Sequence, residues 1–183
     1  GATEDLPAAP IGEYAQSCLA RERVFEHFAH VHGTCLAIVR LAYAVELRYG
    51  VLLDLARKVW EGEPIDLAMG HTNAIWQGDA CELTLRLLPH ASAPPLVLNL
   101  TGLDTLSVRQ LAERFGNLLG HAPNLHGVEA PTALLTNARR AADLIGTPTT
   151  PIEDVVRWVA AWVQAGGRTL NKPTHFEVRD GRY

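Results

Sequence analysis

Gly12-Glu13-Tyr14-Ala15-Gln16-Ser17-Cys18-Leu19-Ala20-Arg21-Glu22-Arg23-Val24-Phe25-Glu26-His27-Phe28 reads as one long helix. It holds no Gly or Pro after Gly12 and is rich in Ala, Leu, Arg and Glu, the residues that lose least on becoming helical. Tyr14, Cys18, Arg21, Phe25 and Phe28 recur at i, i+4, i+7, i+11 and i+14, so they share one stripe. Pro7 and Pro10 fit an irregular lead-in, because a proline pushes its predecessor out of the helical region. A phenol and a thiol therefore sit one turn apart on one side. Two readings follow: Tyr14 and Cys18 are half-buried packing residues, or Tyr14 is a general acid/base that a neighbouring cation would tune. The usual source of that cation is a lysine four residues on, and Cys18, uncharged at neutral pH unless activated, stands there.

Outward from this helix, Thr34–Val39 is a short apolar run between Gly33 and Arg40 and reads as a buried strand. A strand after a long helix suggests part of a parallel sheet, where ligands bind at the carboxyl ends of strands. Arg40 and Tyr43 fall at that end. They are either ligand-facing residues or a structural salt link and a packing aromatic. Arg48-Tyr49-Gly50 leads into a helix whose buried face is Val51, Leu52, Leu55, Val59 and Trp60, ended by Gly62 and Pro64. Ile65–Met69 alternates and can be a strand.

Gly70–Asp79 is the densest polar cluster. His71, Asn73, Trp76 and Gln77 would suit sugar or carbonyl recognition by hydrogen bonds and stacking. Equally, the segment is a turn before a helix capped by Asp79. Helix 80–88 ends at Pro89, a loop runs through Pro95, and Leu96–Leu100 is an apolar strand broken by Asn99. Ser107, or the competing Thr105, caps a helix from Val108 to Leu119 that Gly120 closes. Asn124–Val128 can form a short edge strand. Ala133–Ile145 is expected to be helical on the spacing of Leu134, Leu135, Ala138, Ala141 and Leu144. Pro151 opens the last helix at its first position, with Val155, Val156, Val159 and Trp162 buried and Gly166-Gly167 as its end. Residues 171–180 are expected to be irregular, with at most a short strand and partial mobility.

The 183 residues make one domain with room for a sizeable core, and 48% hydrophobic with 20% charged residues is ordinary for a globular chain. A net charge of -4 gives no reason to expect a nucleic-acid partner. No run approaches the roughly 20 apolar residues of a membrane helix, and the acidic amino terminus has no signal pattern. Cys18, Cys35 and Cys81 are three in number and far apart. They form no disulfide framework and suit a reducing cytoplasm. Eight histidines invite a metal, but C-x-x-C and H-E-x-x-H are absent; His27, His30 and His32 fit a helix end, so no metal site is expected.

Thr3-Glu4-Asp5-Leu6-Pro7, then Pro10-Ile11-Gly12-Glu13-Tyr14-Ala15-Gln16-Ser17 with Leu19, Ala20 and Glu22, resembles the active-site entry of the extended short-chain dehydrogenase/reductases. That NAD-dependent epimerase/dehydratase family often acts on nucleotide sugars. Ala37–Tyr43 resembles the family's next strand, Gln77-Gly78-Asp79-Ala80 its His-Val-Asp-Asp-Val-Ala element, and Val97–Gly102 with Thr105–Ala112 its asparagine strand and following helix. The resemblance implies the carboxy-terminal part of a Rossmann-like α/β fold, helix-rich, with a few short parallel and mixed strands, over residues 1–183 as one region. It implies Tyr14 as the phenol at the nicotinamide. Arg40, Tyr43, Arg48, His71, Asn73, Trp76 and Gln77 would line the cleft of a small-molecule substrate such as a nucleotide sugar. Two departures stand out. Cys18 replaces the lysine of Tyr-x-x-x-Lys, and no G-x-G-x-x-G occurs to cradle a pyrophosphate. The expectation is a cleaved or truncated carboxy-terminal portion, without its nucleotide-binding half. NAD or NADP would belong to the full-length parent and none to this chain, and activity would be lacking in isolation. Open strand edges and apolar helix faces would favour association with that half or with a second copy. The rival is a ligand-binding or scaffolding module whose chemistry lapsed with Cys18.

Overall fold

Three amphipathic helices supply the larger core of the computed structural model, which describes residues 1–179. These are α2 (Val51–Glu61), α4 (Val108–Leu119) and α6 (Ile152–Gln164). Leu52, Leu55 and Val59 of α2 meet Phe115 and Leu119 of α4 and Val155, Val156 and Val159 of α6 in one buried cluster. Each such side chain contributes about 1.5–3 kcal/mol of transfer free energy. Glycines in the left-handed region end the first two helices, Gly62 at φ 73° and Gly120 at φ 75°. Ser107, not Thr105, caps α4 by accepting the Gln110 N–H at 3.3 Å.

The strands are short and pair two by two. β1 (Ala37–Leu41) runs parallel to β6 (Leu96–Leu100), Ala37 facing Leu96 and Leu41 facing Leu100. β2 (Ala44–Val45) is parallel to β5 (Ile75–Trp76), and β3 (Pro64–Asp66) to β8 (Asn124–His126). β4 (His71–Thr72) is antiparallel to β7 (Leu106–Ser107). Parallel partners need long crossovers, and α2 and α3 (Gln77–Leu87) lie between β1 and β6 in sequence. Leu83 and Leu87 of α3, Leu98 and Leu100 of β6, and Ala141 and Ile145 of α5 (Arg139–Ile145) form the smaller core. This is an α/β fold with the expected parallel and mixed pairs.

The long helix α1 (Gly12–His32) runs one turn past Phe28 and departs from expectation in what it buries. Ala29 is its one buried residue, and Ala15, Cys18, Leu19, Glu22 and Glu26 are partly covered. That stripe lies about 100° round from the apolar one, so Phe25 and Phe28, with Val24 and Val31, stand more than half exposed. The packing reading of Tyr14 is overturned, at 67% exposed.

Other boundaries move for local reasons. The first strand begins at Ala37 rather than Thr34, because the Thr34 N–H still bonds Ala29 O at 2.9 Å in the helix cap. Only Ile38 in it is buried. β3 stops at Asp66, whose Oδ1 accepts the Ala68 N–H at 2.8 Å and turns the chain. Trp60 is 38% exposed and meets the His121 ring at 4.8 Å instead of entering the core. Residues 133–138 are not helical: Ala2 donates to Leu135 O at 2.7 Å and accepts from Asn137 N at 2.9 Å, an extended pairing that occupies the groups a helix would use. Pro151 stands just before α6 as its capping residue, and Ala160 rather than Trp162 completes the buried face.

The tail 168–179 forms no strand, yet it is tied down; Asp180 lies outside the described residues. Leu170 N donates to Arg48 O at 3.0 Å, Thr174 bonds Asp54 Oδ2 through its N–H (2.9 Å) and hydroxyl (2.6 Å), and Phe176 is buried in the larger core. Lys58 Nζ meets Glu177 Oε1 at 2.8 Å. Burial works to raise the Glu177 carboxyl, but the Lys58 hydrogen bond and charge outweigh it and hold the group below the usual glutamate range. A carboxylate so depressed contributes stability at neutral pH that is lost as pH falls through its lowered value. Glu177→Gln should therefore be less stable than the parent chain at pH 7, and acid titration of both by circular dichroism should show that difference shrinking.

Candidate functional site

A groove of about 360 Å³ runs beside the first half of α1, lined by Pro10, Tyr14, Cys18, Leu19, Glu22 and Arg40. The helix sets Tyr14, Cys18 and Glu22 at successive turns along its flank. β1 brings Arg40 up from the opposite side. Arg40 grips Glu22 with two prongs, Nη2 to Oε2 at 2.8 Å and Nε to Oε1 at 3.0 Å, and its Nη1 reaches Glu4 O at 3.3 Å. The Glu22 hydrogen bond raises the guanidinium pKa above its ordinary value, with burial opposing. So the groove holds a phenol, a thiol and a cation whose charge is offset by its own carboxylate. A phenol placed this way can exchange a proton with a bound hydroxyl or carbonyl, and Cys18, rather than a lysine, stands one turn on.

The other site residues read from the sequence are placed apart. Tyr43 turns the chain between β1 and β2 at φ 47°, where a side chain is rarely tolerated, and packs on the larger core. Its carbonyl accepts the Ile75 N–H at 3.2 Å. Arg48 pairs with Glu46 at 3.0 Å and lines a separate 360 Å³ cavity between α2 and the tail, with Arg57, Lys58, Lys172 and His175. His71 sits in β4 opposite Ser107. Asn73 is buried, donating to Asp104 O at 3.0 Å and accepting the Thr136 N–H at 2.8 Å, which is structural work. Trp76 packs edge-on against Trp158, ring centroids 5.5 Å apart, and Gln77 is exposed at the start of α3.

Asp79 does not cap α3, which starts two residues earlier. It is buried and accepts from the Thr149 hydroxyl and the Thr150 N–H, both at 3.0 Å, pinning the loop before α6. The sequence reading missed Glu22, the partner of Arg40. Its place two turns beyond Tyr14 on the inward arc of α1 was the available signal. Among the described residues no group of three His, Cys, Asp or Glu side chains could hold a metal ion, and no helix is long and apolar enough to cross a membrane.

No protein-family model and no curated protein sequence matches the chain. Solved structures do. A UDP-glucuronic acid 4-epimerase from Bacillus cereus, in complex with NAD, superposes at TM-score 0.74 with 16% identity, over 90% of this chain and 56% of its own. A dTDP-glucose 4,6-dehydratase from Bacillus anthracis, also in complex with NAD, gives 0.71 at 16% identity, over 89% of this chain and 55% of its own. A UDP-galactose 4-epimerase gives 0.71 at 24%, over 89% and 57%. The chain thus spans little more than half the length of the structures it matches.

Proposed function

We propose that this chain, which has part of the fold of the extended short-chain dehydrogenase/reductases, is the substrate-side portion of an NAD(P)-dependent sugar-nucleotide epimerase or dehydratase. The observation that carries the reading is the Tyr14 groove: the phenol on α1 faces open space beside Cys18 and Arg40, on a fold that matches enzymes of this chemistry. In the whole protein Tyr14 would move the proton as hydride passes to or from the nicotinamide. Arg40, held by Glu22, would shape the wall beside it. Tyr43, Arg48, His71, Asn73, Trp76 and Gln77 are spread over several surfaces, and their part in substrate binding would be indirect or in other subsites. NAD(P) would be gripped by a nucleotide-binding half, since no glycine-rich cradle is present in this sequence.

Calorimetry with NAD and NADP tests the division of labour: the chain by itself should bind neither tightly, and tight binding by it would overturn the reading. The exposed arc of α1, with Phe25, Phe28, Val24 and Val31, supports association with the nucleotide-binding half or with a second copy. The second reading, a ligand-binding or scaffolding module, is favoured by Cys18, which stands where the family's motif has a lysine.

A further inference from the structure

The cavity of about 360 Å³ between α2 and the tail lies well away from the groove at α1 and has a direction of its own. The tail runs beside α2 from its N-terminal to its C-terminal end. Leu170 N–H meets Arg48 O ahead of the helix, Thr174 holds Asp54 in the first turn, and Glu177 holds Lys58 in the last. The cavity therefore extends along the helix, whose eleven residues span about 16 Å. Its tail wall is fixed by these contacts and by Phe176, which is buried in the larger core.

The charges along it are sorted by position. In the middle they satisfy one another, Arg57 with Glu61 and Lys58 with Glu177. At the two ends they do not. Lys172, at the N-terminal end, lies over the Tyr49 ring at 6.0 Å and makes no ion pair among the described residues. Glu63, just past the C-terminal end, makes no side-chain hydrogen bond or ion pair among them. Both are exposed and both line the cavity. The helix dipole puts partial positive charge beside Lys172 and partial negative charge beside Glu63, so each end is improved by a ligand group of opposite sign. Between the ends, Arg57 Nη1 and Asn171 Nδ2 donate to nothing among the described residues and suit carbonyl acceptors. Lysines and arginines are matched in number by carboxylates in the lining, which favours neither a polyanion nor a polycation. A carboxylate and an ammonium some 16 Å apart, with carbonyls between them, describe an extended peptide whose two charges stand five residues apart, at about 3.3 Å per residue. We propose that the cavity between α2 and the tail is a docking groove for such a peptide segment of a partner protein, its acidic side chain at Lys172 and its basic one at Glu63. A chain with no chemistry at Tyr14 would still hold it.

Titration of the ¹⁵N-labelled chain at low salt with the end-capped peptide Glu-Ser-Gly-Gly-Ser-Lys tests it. The amide signals of Glu63, Asn171 and Lys172 should move together and saturably, with a dissociation constant on the order of millimolar, as expected for a short flexible ligand. The same peptide with Glu at both ends, or with Lys at both, should bind more weakly. Reversing one end of the groove turns an attraction into a repulsion, so Lys172→Glu should weaken the mixed peptide about tenfold and make the Lys-ended peptide the preferred one. Adding Glu63→Lys to that variant should restore the mixed peptide, lying in the opposite direction, which a merely damaged tail would not do. No movement of these signals up to about 10 mM peptide, well above a millimolar dissociation constant, would overturn the proposal. So would equal binding of the like-charged peptides, or a double variant that fails to recover the mixed one.

Discussion

Tyr14→Phe should lower turnover by about two to four orders of magnitude, the contribution of a positioned general acid/base, in an enzyme that joins this chain to a nucleotide-binding half. The substitution removes one hydroxyl from a side chain that is two-thirds exposed, so the thermal midpoint should stay where it is. Turnover and melting measured on the same preparations separate chemistry from folding. Equal turnover in the two proteins would take Tyr14 out of the reaction and leave the scaffolding reading standing. Cys18→Lys asks the complementary question. The Arg40 charge is already committed to Glu22 at 2.8 Å, so a lysine one turn from Tyr14 would bring the uncommitted cation the groove lacks. A large gain in activity would mark decayed catalysis; loss of an existing activity would mark a phenol adapted to work beside a thiol.

Phe115→Ala should cost about 3–5 kcal/mol of folding stability, the range for truncating a large buried aromatic. Phe115 is completely buried on α4, within the cluster that α2 and α6 share. Pinned helices on three sides cannot close over the space, so the cavity penalty adds to the lost transfer energy. Against a total of about 5–15 kcal/mol, that is enough to leave the fold marginal. Differential scanning calorimetry should show the midpoint falling by roughly 10 °C. A shift of a degree or two would mean that the three-helix core relaxes freely around the gap.

The helices of that core were legible because their apolar residues recur every three to four positions and glycines stand at their ends. Gly62, Ser107 and Gly120 act as the sequence suggests. What the sequence could not convey was partnership at a distance. Residues 133–138 have helical spacing, but pairing with Ala2, far away along the chain, claims their backbone. Asp79 has the place of a cap, yet Thr149 and Thr150 offer it donors from another loop. The site divides in the same way. The phenol and thiol of the groove are neighbours in sequence and were visible together. Glu22 and Arg40 become neighbours only in three dimensions.

Because α1 meets the rest of the molecule through Leu19, a few small or polar side chains and one forked ion pair, its amides are governed by local opening rather than by global unfolding. Deuterium should enter this helix well before it enters α2, α4 or α6. Anything that settles on its bare aromatic side would slow that uptake, so the helix serves as a built-in gauge of whether a companion surface has arrived.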